Sequence, residues 1–349
     1  MNITSLRSAA CAVLMGSVLA VAMAGAREPD GTLGLLRTPN NGMPVIVKPG
    51  DAFSVTAQRN ATLALRGPDS VSELQVQWTE APGGAAKGQC TVPADTAPGT
   101  YALEAKAGEA TDTNLRAVYV VEAFPSAYVV AHITDTHIGS TRHKRASEEI
   151  VRDVFAAANA TDAAFVLVTG DLTDGGEAAQ FLSFLSVMDT CTKPTFVCAG
   201  NHDRKELNYE RFFGPDVYSF RFGEDGYLSF DTKDFVVADD LSAQSTEIQL
   251  QRRAIKAARW SIGFTHRYEA DMGMRTQIAL FIDDPLDHLI FGHWHRENSE
   301  QQKSVPWNAW RGATRITVTP AAIDGTMRLF DVDKSSIAPR KVQADVKVD

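Results

Sequence analysis

Hydrophobic and polar positions follow two rhythms along the chain, and they meet near residue 125. From about Glu28 to Glu122 the apolar positions come in short alternating or β-branched runs: MPVIVKPGD, FSVTAQ, TLALRG, ELQVQWTE, TYALEAKAG and LRAVYVVEA. Pro49-Gly50, Gly67-Pro68, Pro82-Gly83 and Pro98-Gly99 punctuate them. A period of two marks half-buried strands, and Pro-Gly pairs mark turns. About seven such strands predict an all-β sandwich of immunoglobulin type over residues 27–124. This stretch contains no histidine. It reads as a packing or spacer domain, with a carbohydrate- or substrate-binding module as the alternative.

After a linker, AFPSA at 123–127, the period changes. YVVAHITD, FVLVTGD and TFVCAG read as strands. Between them, ASEEIVRDVFAAAN places Ile150, Val151, Val154, Phe155 and Ala158 on one helical face, and EAAQFLSFLSVMDT does the same with Phe181, Leu182, Leu185 and Met188. Further strands are predicted in YSFRFG, YLSFDT, FVVAD, WSIGFTH, HLIFGHW, TRITVTP and TMRLFDVD, with helices near 245–258 and 272–282. Strands alternating with helices predict a layered α/β domain over 125–349. In such sheets, sites gather just beyond the carboxyl ends of the strands.

The first 26 residues stand apart. Arg7 precedes an apolar run from Ala9 to Met23, and Ala24-Gly25-Ala26 fits a small-x-small cleavage site. A run of about 15 residues falls short of the roughly 20 that span a bilayer. The pattern predicts a cleaved signal peptide at 1–26, a secreted or periplasmic protein and no membrane span after cleavage. The alternative is an uncleaved, membrane-anchored segment. Cys90, Cys191 and Cys198 remain, too few for a disulfide framework. A predicted strand separates Cys191 from Cys198 by about 23 Å of extended chain, whereas a disulfide needs roughly 4.4–6.8 Å between Cα atoms. Free or buried thiols are expected.

Composition sharpens the picture in one respect. The 349 residues are 44% hydrophobic and 22% charged, with a net charge of −9. An acidic chain lacks the electrostatic footprint of a dedicated nucleic-acid binder. A small anionic substrate stays open, because bound metal ions reverse the sign of a local field.

The candidate chemistry lies at the predicted strand ends. ITDTHIG ends in Asp135 and His137, VTGDLTDGG in Asp171 and Asp174, and CAGNHD in Asn201, His202 and Asp203. IGFTHR ends in His266, and IFGHWH in His293 and His295. Five of the eight histidines of the chain fall here. Any one alone would read as a packed or surface residue. Five consecutive strand ends closing on carboxylate, amide or imidazole place costly polar groups where packing would favour apolar ones. In extended chain, residues two apart project to one side, so Asp135 with His137 and His293 with His295 are expected as pairs. Imidazole with carboxylate suits zinc, manganese or iron rather than calcium. Seven candidate ligands exceed one tetrahedral ion and suit two ions sharing a carboxylate.

The ordered series Asp-x-His, Gly-Asp-x-x-Asp, Gly-Asn-His-Asp, a lone His and Gly-His-x-His, over residues 133–295, resembles the calcineurin-like metallophosphoesterase superfamily. The resemblance implies an α/β four-layer αββα sandwich. It implies that Asp135, His137 and His295 hold one metal, that Asn201, His266 and His293 hold the other, and that Asp171 bridges them. It further implies two transition-metal ions (Mn, Fe or Zn), a bridging hydroxide as nucleophile, a small phosphate-ester substrate, and His202 assisting the leaving group. Asp174 resembles the carboxylate that orients this histidine; a turn or helix-cap role before Glu177 is the alternative. Protein phosphatases of the superfamily carry Arg where Gly175 stands. Purple acid phosphatases carry Tyr in place of Asp174 and Gly in place of His137. The motifs look most similar to the class III cyclic-nucleotide phosphodiesterase branch. RHKR at 142–145 reads as a solvated turn, with phosphate contact as the alternative, and Arg204, Arg267 and Tyr268 adjoin ligands. His132 and His288 lie within strands and read as structural. The rival function is a catalytically silent surface or periplasmic binding protein on the same fold.

Overall fold

The computed structural model describes residues 31–79, 85–231, 242–267, 272–297 and 314–349. The signal-peptide reading at 1–26, the turn at Pro82-Gly83, the strand expected in FVVAD and the position of Tyr268 lie outside them. No helix among the described residues is long and apolar enough to cross a membrane.

The N-terminal part is an immunoglobulin-like β-sandwich. Strands β1 (Leu36–Thr38), β3 (Ala52–Gln58), β7 (Ala85–Thr91) and β6 (Val76–Thr79) form one sheet, in the order β1-β3-β7-β6. Strands β2 (Val45–Val47), β9 (Ala110–Val120), β8 (Gly99–Ala107), β4 (Thr62–Arg66) and β5 (Val71–Leu74) form the other, in the order β2-β9-β8-β4-β5. Alternation is visible along β3, where Phe53, Val55 and Ala57 are buried and their neighbours are not. Two differences from the sequence reading have physical causes. ELQVQWTE is not one strand, because the chain passes from one sheet to the other between β5 and β6. Strand β7, AAKGQCT, was not expected because Ala, Gly and Lys have low strand propensity. Its pairing with β3 along seven residues overrides that propensity.

The following part is the four-layer αββα sandwich. Its first sheet runs β12-β11-β10-β18-β19, from β10 (Tyr128–Ile133), β11 (Ala163–Thr169), β12 (Thr195–Cys198), β18 (Arg328–Val332) and β19 (Ile337–Pro339). The second runs β13-β14-β15-β16-β17, from β13 (Tyr218–Phe222), β14 (Asp225–Ser229), β15 (Ser261–Phe264), β16 (His288–Phe291) and β17 (Arg315–Val318). Strands β10, β11 and β12 pair in parallel, as do β14 to β17. Between the sheets lies an apolar layer that includes Val130, Phe165, Leu167, Phe196, Tyr227, Ile262, Phe264 and Phe330. Helices α1 (Ser147–Asn159), α2 (Ala178–Met188) and α3 (Asn208–Phe213) cover the first sheet. Helix α4 (Ala243–Ala254) and α5 (Met274–Gln277), which continues as a π turn over Ile278–Ile282, cover the second.

Helix α1 buries the five positions its periodicity predicts. Helix α2 buries Phe184 and Val187 in addition, while Leu182 is exposed. Cys90, Cys191 and Cys198 are free and buried, as expected.

The β-sandwich has its own core and also contributes to the next one. Met43, Ile46 and Tyr119 from the β-sandwich pack into the apolar layer between the two sheets of the four-layer part. Val197 N on edge strand β12 donates to the Gly42 carbonyl at 2.9 Å, and Asn40 Nδ2 donates to the Phe213 carbonyl at 3.0 Å. Arg116 donates to the carbonyls of Asp189 (2.9 Å) and Lys193 (3.0 Å). An edge strand exposes unpaired backbone groups. Here the β-sandwich covers that edge, and this same strand leads directly into Asn201 and His202.

Candidate metal centre

Each parallel strand next to the site ends in a loop that turns its polar residues inward. Asp135, His137, Asp171, His293 and His295 all have positive φ, between 41° and 65°. The conformation is uncommon for residues other than glycine and costs on the order of 1–3 kcal/mol each. The extended geometry expected for the Asp-x-His and His-x-His pairs is therefore absent. Asp135 and His137 still meet in one cluster, whereas the left-handed turns send His293 and His295 to different clusters.

Glycines make this crowding possible. A Cβ on Gly200 would lie 2.1 Å from Asp171 N and 2.2 Å from Asp171 Oδ1. Gly200 itself is extended, with φ −110°, so room beside Asp171, not a tight turn, requires glycine here. A Cβ on Gly292 would lie 1.8 Å from the Thr134 hydroxyl oxygen and 2.3 Å from Asp135 Oδ2.

Three groups of metal-ligating atoms result among the described residues. Asp135, His137 and His295 form the first cluster, Asp171, His266 and His293 the second, and His137, Asp174 and His202 a third group at the rim. In the first, His295 Nε2 lies 3.1 Å from Asp135 Oδ1 and 3.3 Å from His137 Nε2. In the second, His266 Nε2 lies 3.2 Å from Asp171 Oδ2 and 3.1 Å from His293 Nδ1. Asp171 Oδ2 is also 3.6 Å from His137 Nε2, so one carboxylate oxygen faces both clusters. Asn201 Oδ1 is buried without a hydrogen-bond partner. A buried polar atom left unpaired costs about 1–3 kcal/mol, and a hard cation is a partner that would satisfy it. Together with four imidazoles and two carboxylates, this orphaned oxygen fits a pair of transition-metal ions.

The outer hydrogen bonds fix the histidine tautomers. His266 Nδ1 donates to the Thr169 carbonyl at 3.0 Å, and His137 Nδ1 donates to Asp174 Oδ1 at 3.1 Å. Both therefore present Nε2 to the clusters. Asp135 Oδ2 accepts from the Thr134 hydroxyl (2.7 Å) and from His293 N (2.9 Å).

Charge in the clusters is strongly biased. Burial would lower the His266 imidazole, but the Asp171 and Asp135 carboxylates beside it prevail and raise it to about 9. Burial, with the charge of His266 beside it, pushes His293 down to about 4. Burial also lowers His137. Burial opposes ionisation of Asp171, yet His266 holds its carboxyl well below the usual range.

Asp174 meets two histidines by different groups. Its carboxylate faces His137, while His202 Nδ1 donates to the Asp174 backbone carbonyl at 2.6 Å. The pairing with His202 exists, but through the main chain. The His202 ring is exposed at the rim and lies edge-on to His137, with ring centres 4.8 Å apart. Its backbone amide donates to Asp171 Oδ1 at 2.9 Å.

The residues adjoining ligands divide. Arg204 is largely buried and ion-paired with Glu210, Asp216 and Asp231, and Arg267 is buried. His132 is held between the hydroxyls of Thr319 and Thr169, at 2.7 Å each, and is structural. His288 bonds the Thr317 hydroxyl at 2.8 Å. Within 142–145, Arg145 pairs with Glu149 and Asp153 as a surface residue. Arg142 instead reaches the site, where its Nη1 donates to His295 Nδ1 at 3.0 Å. Sequence reasoning missed its partner Asp324, which carries no motif.

This four-layer sandwich, with a paired metal-ligating centre at its strand ends, has the architecture of a metallophosphoesterase. Residues 128–297 match the family model described as calcineurin-like phosphoesterase. A "Probable cyclic nucleotide phosphodiesterase" of Rhodopseudomonas palustris is 26% identical over 175 residues, covering 43% of this chain and 64% of the relative. The chain thus matches less than two thirds of that relative's length. A purple acid phosphatase from yellow lupin (Lupinus luteus) seeds shares the fold, with a TM-score of 0.57 over 85% of this chain and 71% of the other at 14% identity.

Proposed function

We propose that this chain is a metal-dependent hydrolase of small phosphate mono- or diesters, working with two transition-metal ions. The observation that carries the reading is Asp171 Oδ2, which faces His137 Nε2 at 3.6 Å and His266 Nε2 at 3.2 Å. Asp135, His137 and His295 would hold one ion, Asn201, His266 and His293 the other, and Asp171 both. Manganese, iron and zinc all suit this ligand set. Such a pair supplies a water of lowered pKa and positive charge for the phosphoryl oxygens.

The chain's own residues supply the rest. Asp174 and the Thr169 carbonyl hold His137 and His266 in the tautomer that presents Nε2. His202 stays out of both clusters. With Nδ1 engaged by the Asp174 carbonyl, its Nε2 is the atom left for substrate. As the imidazolium, it gives that Nε2 proton to the departing oxygen. Residues 27–124 act as the packing domain that braces β12, and 125–349 as the catalytic domain. Six of the seven candidate ligands fall in the two clusters and Asn201 offers a buried, unpaired oxygen, which supports the hydrolase reading over a silent binding protein.

Protein loaded with manganese, iron or zinc should hydrolyse bis-p-nitrophenyl phosphate, p-nitrophenyl phosphate or both, and lose that activity on chelation. Full metal loading with neither ester cleaved would overturn the reading. The name of the Rhodopseudomonas relative makes cyclic nucleotides the first natural diesters to assay.

A further inference from the structure

Three groups close on the rim of the first cluster and take no part in the ligand set. Arg142 Nη1 donates to His295 Nδ1 at 3.0 Å. Arg142 Nε pairs with Asp324 Oδ1 at 3.1 Å, and His143 Nε2 donates to that same oxygen at 2.8 Å. Asp324 is firmly placed. It closes a 3-10 turn, Ala322–Asp324, whose Ala322 N donates to the Thr134 carbonyl (2.7 Å) and whose Ile323 N donates to the Asp135 carbonyl (3.1 Å). The carboxylate that holds Arg142 is thus fixed to the backbone that carries a metal ligand. Arg142 keeps 48% of its side-chain surface exposed, against 25% for Asp324.

The contact between Arg142 and His295 cannot outlast metal binding. His295 turns Nε2 towards Asp135 and His137, so Nε2 is its ligand atom. A neutral imidazole ligating through Nε2 carries its proton on Nδ1, which is then a donor. A guanidinium has five donors and no acceptor. Two donors cannot share a hydrogen bond, so the terminal nitrogens of Arg142 must leave Nδ1, while Nε stays paired with Asp324. From that pivot a planar cation stands at the rim of the metal centre, matched to anionic phosphoryl oxygens.

We propose that Arg142 is a substrate-binding residue that contacts a non-bridging oxygen of the phosphate ester, with Asp324 as its positioning residue. The proposal rests on the phosphoesterase reading of the site. It explains why a side chain five residues beyond His137 is tied to a turn 182 residues further along the chain.

The test is inorganic phosphate binding to the metal-loaded full chain, followed by titration calorimetry, with metal content measured in parallel. Arg142→Ala should weaken phosphate binding by about tenfold or more, as expected for loss of a charge-assisted bond, and raise KM more than it lowers kcat. Metal content should be unchanged. Arg142→Lys should recover part of the affinity, and Asp324→Asn should show a smaller loss than Arg142→Ala. Phosphate affinity within twofold of the parent for Arg142→Ala would overturn the proposal. So would loss of metal from that variant, because Arg142 would then act only on His295. If the parent protein binds phosphate but cleaves no ester, the hydrolase reading fails while phosphate affinity still decides the role of Arg142.

Discussion

Asp203 Oδ1 accepts two hydrogen bonds from Thr173, one from the backbone amide at 2.9 Å and one from the hydroxyl at 2.8 Å. Its other oxygen accepts from Leu172 N at 3.0 Å and Gly200 N at 2.8 Å. One fully buried carboxylate therefore ties the loop carrying Asp171 to the loop carrying Asn201 and His202. Asp203→Ala should leave buried amides unpaired and destabilise the metal-free protein by about 1–3 kcal/mol. It should also weaken metal binding. Urea unfolding and metal titration check both, and a variant with parental stability would show that the tie is dispensable.

Asp174 touches both histidines of the rim by different groups, its carboxylate on His137 and its carbonyl on His202. Removing the carboxylate should therefore act through His137. Asp174→Ala is expected to weaken metal affinity by roughly 10–100-fold, while the contact to His202 survives in the main chain. Competition with a chelator of known affinity measures this. Unchanged metal affinity with lowered turnover would instead place the carboxylate in the leaving-group step.

His202 belongs to neither the Asp135 nor the Asp171 cluster but to the rim group with His137 and Asp174, and it donates its backbone amide to Asp171. His202→Ala keeps that amide, so metal content should hold. Turnover of an ester with a poor leaving group should fall by roughly 10²–10⁴-fold, the usual contribution of a general acid. The fall should be smaller for p-nitrophenyl esters, whose leaving group needs little protonation. Equal losses for both would contradict the assignment.

The proton on His266 gives the metal-free protein a pH signature. With its pKa raised from 6.5 to about 9, folding favours the protonated form. The stabilisation is complete below pH 6.5 and fades as pH rises through 9. Ligation needs the neutral imidazole, so metal binding at pH 7.5 should expel a proton, and apparent affinity should climb until about pH 9. His293, pushed down to about 4, is already neutral and contributes none. Calorimetry in buffers of different ionisation enthalpy counts the protons. Zero release at pH 7.5 would contradict the charge assigned to His266.

The candidate ligands were legible because each closes a strand whose apolar pattern is plain, and because the blocks follow one another in a fixed order. What the pattern could not carry was backbone conformation. Residues two apart in Asp-x-His and His-x-His share a face only if extended, yet Asp135, His137, His293 and His295 are all left-handed. Which group of Asp174 meets which histidine depends on that twist. The contact between Arg142 and Asp324 was invisible for another reason, since it joins residues far apart in sequence through a turn with no motif. Strand β7 was missed because its small residues carry little strand preference of their own, and pairing with β3 and β6 defines them.

Metal per chain, measured by mass spectrometry alongside ester hydrolysis in the parent and in Asp171→Ala, decides whether Asp171 joins two ions. About two ions per chain and metal-dependent hydrolysis are expected in the parent. In Asp171→Ala, both clusters should weaken together, with one ion or fewer retained and hydrolysis lost. Two ions retained without the Asp171 carboxylate, or hydrolysis that survives complete chelation in the parent, would contradict that role.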